Sequence, residues 1–147
     1  KIPQLIYKEV DISIVIHLFC FANDFKEMID IGKFIYINLK SGGKLYTYHC
    51  TPIREGKDKL YEELYNSTII EKRDNQNKLG EFIVTKDNGF TLPRNMYKNE
   101  IVIKALKLVG FREIKMHKFI ISPDCIDKEE VELNHDVCDY YYIEAVK

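Results

Sequence analysis

The first strong pattern of hydrophobic positions is an almost unbroken apolar run from Val10 to Ala22. Its β-branched residues, with apolar side chains on both alternating faces, are typical of a strand buried inside a parallel sheet. Asn23 and Asp24 then offer a helix N-cap, and apolar residues recur at roughly helical spacing as far as Leu39. The segment 41–43, Ser-Gly-Gly, is predicted to end this helix, because glycine tolerates the left-handed conformation of a C-cap.

A second apolar strand is predicted at 45–49. A strand, a helix and a strand at this spacing form a βαβ unit, which implies a right-handed crossover and an open α/β sheet. The rest of the chain predicts a short helix at 58–65, strands at 69–72 and 81–85, a turn at 87–89, a helix at 99–109 capped by Asn99 and closed by Gly110, an alternating strand at 113–120 and a last strand at 139–146. The chain shows no internal repeat or low-complexity linker, and we expect residues 1–147 to form a single domain.

The charge balance narrows the class of partner. The 147 residues carry 22 basic and 23 acidic side chains, a formal net charge of −1, which argues against nucleic acid or a membrane surface as a partner. No apolar run is long enough to span a bilayer. The cysteines at 20, 50, 125 and 138 form no CxxC pair. We therefore expect all four to be free thiols, as is usual in a cytoplasmic protein.

Four segments resemble motifs of the class I, Rossmann-like S-adenosylmethionine-dependent methyltransferases, and they occur in the family's order. Segment 11–19 is similar to the Asp-x-Val-x-x-x-x-x-Leu of the family's fourth strand, and segment 39–43, Leu-Lys-Ser-Gly-Gly, resembles Leu-Lys-Pro-Gly-Gly with serine in place of proline. Segment 44–46 would open the next strand. Segment 108–111, Leu-Val-Gly-Phe, resembles the Ala-Gly-Phe that precedes the sixth strand.

The resemblance runs from Val10 onward and implies an α/β fold, namely a partial Rossmann-like methyltransferase sheet of the fourth to seventh strands with flanking helices. Its C-terminal antiparallel hairpin would pair 112–121 with 139–146. The insertion at 50–97 resembles the substrate cover of small-molecule methyltransferases. The family's glycine-rich cofactor loop and ribose-binding acidic residue are not matched, and the chain starts with Lys1. We therefore expect the C-terminal half only, with residues 12–18 left as an apolar edge that needs a homodimer partner or the missing N-terminal half.

Ligands bind open α/β sheets at the carboxyl ends of the strands. By resemblance, His17, Leu18 and Phe19 would contact the cofactor, S-adenosylmethionine, although they could equally pack the top of the sheet. His49 is the candidate catalytic base, because a neutral imidazole can take a proton from an acceptor hydroxyl or amine near pH 7. A methyl sulfonium is already a reactive donor, so positioning alone could suffice and His49 could be structural.

Tyr48, at the end of the second strand, is a candidate substrate-binding residue. Tyr65 and Tyr97 in the insertion could line an aromatic pocket or form a small core, and Arg94 could meet an acidic group or remain solvated. A zinc site is an alternative that the sequence favours little, since its four ligands, His17, Cys20, His49 and Cys50, lack the regular spacing of zinc motifs. No metal is therefore expected.

Two functions follow from these features. The first is S-adenosylmethionine-dependent methyl transfer to a small-molecule acceptor, needing an absent N-terminal half. The alternative is a non-catalytic methyltransferase-like fragment that acts as a binding or dimerisation module. Whether these residues form an active enzyme by themselves is left open by the sequence.

Overall fold

The computed structural model describes residues 9–49, 51–71, 81–87, 90–120, 122, 124–125 and 127–147. Its elements in chain order are β1 (Val10–Ile16), a 3-10 helix (Leu18–Phe21), α1 (Phe25–Asn38), β2 (Leu39–Tyr48), α2 (Asp58–Leu64), β3 (Ser67–Glu71), β4 (Glu81–Asp87), β5 (Phe90–Met96), α3 (Asn99–Val109), β6 (Arg112–Lys118), α4 (Lys128–Val137) and β7 (Tyr141–Val146).

The main sheet contains four strands in the order β1-β2-β7-β6. β1 runs parallel to β2, and β7 pairs antiparallel with both β2 and β6. The predicted βαβ unit and the C-terminal antiparallel pair are therefore confirmed. In chain order, α4 comes between the two strands of this pair. Because β6 runs in the same direction as β1 and β2, the carboxyl ends of these three strands share one edge of the sheet, which we call the carboxyl edge.

α1 begins where the sequence predicts. The Asp24 carboxylate accepts a hydrogen bond of 2.7 Å from the Glu27 amide, which satisfies one of the exposed amides of the first turn. The prediction that the glycine pair ends the helix is wrong. α1 ends at Asn38, and the next residue, Leu39, already has extended dihedral angles and begins β2.

The two glycines instead lie inside β2, where its pairing with β1 shifts register. Gly42 has a φ of +77°, which favours glycine, and Gly43 has no room for a side chain. A Cβ atom at Gly43 would lie 2.9 Å from the Lys40 carbonyl oxygen and 3.1 Å from that of Asp11. The glycine pair therefore permits an irregular strand to lie close to β1.

One face of the sheet carries the main core. α1 and α3 pack on this face and against each other, and Gly32 of α1 allows the approach, since a Cβ there would lie 3.0 Å from Cγ2 of Val109. The core is built from alternate residues of the strands and the inward sides of both helices. Its buried members include Met28, Ile35, Leu45, Val102, Leu106 and Ile143.

The other face of the sheet is open in the part of the chain that the structure describes. Ile12, Ile14 and Ile16 of β1 are 57%, 72% and 64% exposed on this face. The face continues across β2 and β7, where the rings of Tyr46 and Tyr142 lie 6.5 Å apart. The sequence pattern alone predicts a buried strand here, whereas β1 is an apolar edge strand with one described neighbour, as the resemblance predicts for residues 12–18.

The segment between β2 and α3 forms α2 and a second, antiparallel sheet in the order β3-β4-β5. β3 and β4 lie near the predicted strands, but β5 was not predicted. The predicted turn at 87–89 includes residues 88 and 89, which lie outside the described residues. A smaller core joins this segment to α4 and contains Ile53, Tyr61, Met96 and Val137. The role of residues 50–97 as a substrate cover and the single-domain assignment of 1–147 stay predictions.

In the last third of the chain, the structure differs from the prediction at the start of α3 and in the residues that enter α4. α3 starts at Asn99 itself, with Lys98 at the cap position, and closes as predicted at Gly110, whose φ is +115°. The acidic residues within 127–132, a pattern that predicts a solvated surface or the first turn of a helix, enter α4. Among the described helices, none has the length and apolar character needed to cross a membrane.

Candidate ligand-binding edge of the sheet

The chain turns sharply where β1 ends. His17 adopts a left-handed conformation with φ 58° and ψ 4°, which only a few per cent of non-glycine residues adopt. Its amide donates a hydrogen bond of 2.7 Å to the Tyr48 carbonyl at the end of β2. The two rings then meet edge to face, with 4.7 Å between their centroids. The ends of the two parallel strands are thereby held together at the carboxyl edge.

The three residues expected to contact a cofactor have different environments. His17 is half-buried and lines a cavity described below. Leu18 is 39% exposed, whereas Phe19 is fully buried and belongs to the main core. The structure therefore brings the backbone of this segment to the carboxyl edge, and a role for these residues in cofactor contact stays a prediction.

A cavity of about 120 Å³, which we call the inner cavity, lies beside the ends of β1 and β2. Its lining includes His17, Tyr48, Tyr65 and Tyr140. Asp139 contributes a carboxylate to the lining and is held by Arg54 at 2.7 Å. The inner cavity thus brings together two of the predicted substrate-binding residues, Tyr48 and Tyr65, with His17.

A larger cavity of about 330 Å³, the outer cavity, lies next to it under α4. Its lining residues are Tyr65, Phe119, Ile120, Val131, Asn134, His135 and Tyr140. The two cavities share Tyr65 and Tyr140, whose hydroxyl groups are hydrogen bonded to each other, and the Tyr65 hydroxyl also donates to Oδ1 of Asn134. This pair of tyrosines, which lines both cavities, is called the tyrosine partition below.

Burial determines the protonation of the groups at the partition. Desolvation, together with hydrogen bonds to Cys138 and Tyr65, raises the pKa of Tyr140 far above its ordinary value. Burial also raises the pKa of the Cys138 thiol. Both groups are therefore protonated near neutral pH and offer neutral hydrogen-bonding groups, not nucleophilic anions, to a ligand.

His49, the predicted catalytic base, is 1% exposed and lines neither cavity. Burial lowers the pKa of its imidazole, although neighbouring Cys20 opposes the shift. The backbone of Tyr97 also opposes the shift as a hydrogen-bonding neighbour, although its geometry is too poor for a normal hydrogen bond to either ring nitrogen. The ring is neutral at pH 7, as a base must be, but lies beneath the cavity surface; its catalytic role stays a prediction.

Of the other two predicted substrate-binding residues, Tyr97 lines neither cavity. Tyr97 is 2% exposed in the main core, its hydroxyl donates to the Ala22 carbonyl, and burial raises its pKa to about 12. Arg94 belongs to β5, but its side chain lies outside the described part of the structure. Substrate binding by either residue stays a prediction.

Sequence reasoning missed several residues that line the outer cavity, among them Tyr140, Asn134 and His135. The Tyr140–Tyr142 run predicts strand, but β7 starts at Tyr141 and leaves Tyr140 at the carboxyl edge. Asn134 and His135 were missed because α4 was not predicted in full. Their spacing from Val131, three and four residues, is the signal that places all three on one side of a helix.

The described residues include no group of three or more histidine, cysteine, aspartate or glutamate side chains placed to hold a metal ion. Of the four ligands considered for zinc, Cys50 lies outside the described residues. His17 instead packs on Tyr48, and His49 is buried beside Cys20.

No protein-family model matches the chain, and a search of curated proteins finds no match. Solved structures do resemble it. An S-adenosylmethionine-dependent methyltransferase from Mesorhizobium loti aligns with 99% of this chain and 65% of its own, at a TM-score of 0.63 and 15% identity. One from Methanosarcina mazei aligns with 98% of this chain and 63% of its own, at a TM-score of 0.58 and 17% identity.

A glycopeptide N-methyltransferase solved with S-adenosylhomocysteine aligns with 98% of this chain and 57% of its own, at a TM-score of 0.58 and 13% identity. These similarities define the class of fold. It is an open α/β sheet in which one antiparallel strand, β7, lies between the parallel strands β2 and β6. The chain has the fold of a class I methyltransferase, represented by the strands expected to be the fourth to the seventh. It spans roughly three fifths of the length of the solved structures that it matches, 57–65%.

Proposed function

We propose that this chain forms the acceptor-binding side of a methyltransferase that uses S-adenosylmethionine and methylates a small molecule. The observation that carries the proposal is the pair of adjoining cavities at the carboxyl edge, the edge at which open α/β sheets bind ligands. The names of the solved structures with this fold support the cofactor and the reaction.

The inner cavity fits one end of the cofactor and not the whole molecule. Sites for complete small-molecule ligands start at about 300 Å³, whereas the inner cavity has about 120 Å³. His17 and Tyr48 line it at the ends of β1 and β2, and we assign them the sulfonium-bearing end of S-adenosylmethionine. When bound, the cofactor supplies an activated methyl group; the aromatic ring of Tyr48 favours a nearby cation.

Apart from the Asp139 carboxylate, which pairs with Arg54, the described groups that line the inner cavity carry no permanent charge, so the proposed role of this chain is mainly to position the acceptor. Tyr48 and Tyr65 would orient it through ring contacts and a hydroxyl. His49 acts as a general base in this proposal only if an acceptor reaches beneath the cavity surface. Tyr97 and Arg94 remain candidates for the part of the substrate that extends toward the insertion.

The rest of the cofactor site is proposed to come from further polypeptide that covers the open face and edge of the sheet. Ile12, Ile14 and Ile16 present an apolar surface and unpaired backbone groups, which a parallel strand followed by helices would bury. An N-terminal half that carries a glycine-rich loop has this form and would supply the remaining cofactor-binding residues.

Titration calorimetry with S-adenosylhomocysteine tests the proposal. The 147-residue chain alone is expected to show no binding at micromolar ligand, and the product of a coding sequence that includes an upstream Rossmann half is expected to bind. Micromolar binding by the chain alone would contradict the incomplete site. Absence of binding in the longer product would contradict the methyltransferase proposal itself.

The second candidate is a non-catalytic binding or dimerisation module. The observation that favours it is the same β1 edge, because a second copy can pair with an exposed strand as readily as an N-terminal half can. Sedimentation equilibrium separates the two functions. A dimer that Ile14→Lys dissociates, in a protein that does not bind S-adenosylhomocysteine, supports the module; a monomer argues against it.

A further inference from the structure

The outer cavity has the properties of a complete binding site for a small organic molecule. Its volume of about 330 Å³ lies within the range of small-molecule sites, and its lining combines aliphatic and aromatic side chains with a few polar groups. Tyr140 and Phe119 contribute rings, and Val131 and Ile120 contribute aliphatic surface.

The rings around the outer cavity form a continuous set. Tyr140 lies 4.9 Å from the His135 ring on one side and is stacked with Tyr48 at 6.1 Å on the other. Phe119 meets Tyr48 edge to face at 5.4 Å. Tyr48 in turn contacts His17, so the aromatic surface extends from the outer cavity to the inner one.

Three of the polar groups that line the outer cavity are hydrogen bonded to one another. The tyrosine partition and Oδ1 of Asn134 form this set of neutral groups. Among the described residues that line the cavity, none carries a permanent charge. A carboxylate or ammonium group entering here would lose water without gaining an opposite charge, which is costly.

We propose that the outer cavity binds a neutral, flat, aromatic molecule whose hydroxyl or N–H group points to the tyrosine partition. Resting on the proposed function, this molecule is the methyl acceptor, because the partition also lines the inner cavity. The acceptor class is therefore an uncharged phenol-like or indole-like compound. A ligand at the partition would replace part of the Tyr65–Tyr140–Asn134 hydrogen bonding, which brings its polar group beside the inner cavity.

Indole is the probe that tests the proposal in the purified protein. The chain contains ten tyrosines but no tryptophan, so the emission of bound indole can be followed by exciting at wavelengths longer than those that tyrosine absorbs. Binding is expected with a Kd on the order of 1 mM, because indole has few atoms. Benzoate, a flat aromatic anion, is expected to bind at least ten times more weakly in competition with indole.

Two substitutions on α4 form a matched pair. Val131 lines the cavity, whereas Leu133 on the same helix is 39% exposed and does not. Val131→Phe is expected to weaken indole binding at least tenfold by filling the cavity, and Leu133→Phe to leave it unchanged. Thermal unfolding of both variants checks that they fold. Equal binding by wild type and a folded Val131→Phe would overturn the proposed location.

A measurement on the wild-type protein removes any dependence on the variants. In methyl NMR spectra, indole is expected to shift the signals of Val131 and Ile120 and to leave that of Leu108, which is exposed on α3, unchanged. Shifts confined to other regions would contradict the proposal, as would benzoate binding as tightly as indole. Indole binding needs no cofactor. If indole does not bind, the acceptor proposal fails, while binding of S-adenosylhomocysteine still tests the methyltransferase proposal separately.

Discussion

His49 makes the stability of the fold depend on pH in a direction that can be worked out. Its imidazole is 1% exposed and burial lowers its pKa below the ordinary value of 6.5. Below pH 6.5 the unfolded chain takes up a proton at this position while the folded protein does not. The pKa of His49 is lower in the folded protein than in the unfolded chain. Its contribution to the free energy of unfolding is therefore complete above the pKa of the unfolded chain and is lost as the pH falls toward the pKa of the folded protein.

The magnitude follows from this linkage. Each pH unit over which one proton separates the two states changes the free energy of unfolding by about 1.4 kcal/mol. Lowering the pH from about 7.5 to about 5.5 therefore costs up to about 1.4 kcal/mol at His49, because the unfolded ring becomes protonated within this interval. His49→Leu is expected to remove this part of the pH dependence. At the higher pH its effect on stability is expected to be small, because the buried ring makes only a poorly aligned contact with the Tyr97 backbone.

Urea denaturation at the two pH values, for wild type and variant, measures the effect. Thr47→Val is the control, because Thr47 lies two residues earlier on β2, is 1% exposed and also lacks a hydrogen-bond partner among the described residues, but does not titrate. Its effect is expected to be the same at both pH values. If His49→Leu shows the same acid loss as wild type, the imidazole is not buried in its neutral form and the reasoning is refuted.

Three further predictions concern the sheet and its core. Gly43→Ala is expected to destabilise the protein by about 2 kcal/mol or more in urea denaturation, since its Cβ would lie 2.9 Å from a carbonyl oxygen; a change under about 0.5 kcal/mol would show that β2 adjusts freely. Leu106→Ala should cost about 2–5 kcal/mol in the same assay, because Leu106 is fully buried between α3 and the sheet; a cost typical of a surface site would contradict the core assignment. Ile14→Lys should change stability by less than about 0.5 kcal/mol and reduce self-association in light scattering, because Ile14 is 72% exposed; a large loss of stability would mean that β1 is covered.

The sequence predicted the elements whose signals are local. The β-branched run at β1, the Asp24 cap and the glycine at Gly110 each specify one backbone conformation, and all three were located correctly. The pair Gly42-Gly43 was misassigned because a helix C-cap and an irregular strand both need glycine, and the choice between them depends on the distance of β2 from β1.

β5 was missed because its sequence contains Pro93, which lowers strand propensity. In the structure β5 lies at the edge of the smaller sheet, where a proline is tolerated. The candidate site was predicted only in part, because some of its residues come together through tertiary packing that no local pattern shows. His17, Tyr48 and Tyr65 follow from strand ends and the insertion, whereas Tyr140 and Asn134 join them only through the packing of α4.

The position of β7 between β2 and β6 has a consequence for synthesis of the chain. Lys44 of β2 pairs at 2.8 Å with Glu144 of β7, a hundred residues later in the sequence. During translation β2 emerges about a hundred residues before β7, so β2 gains its second neighbour only after β7 has left the ribosome. Until then one edge of β2 is unpaired, so the main sheet has to close late, through contacts between distant parts of the sequence that are intrinsically slow to form.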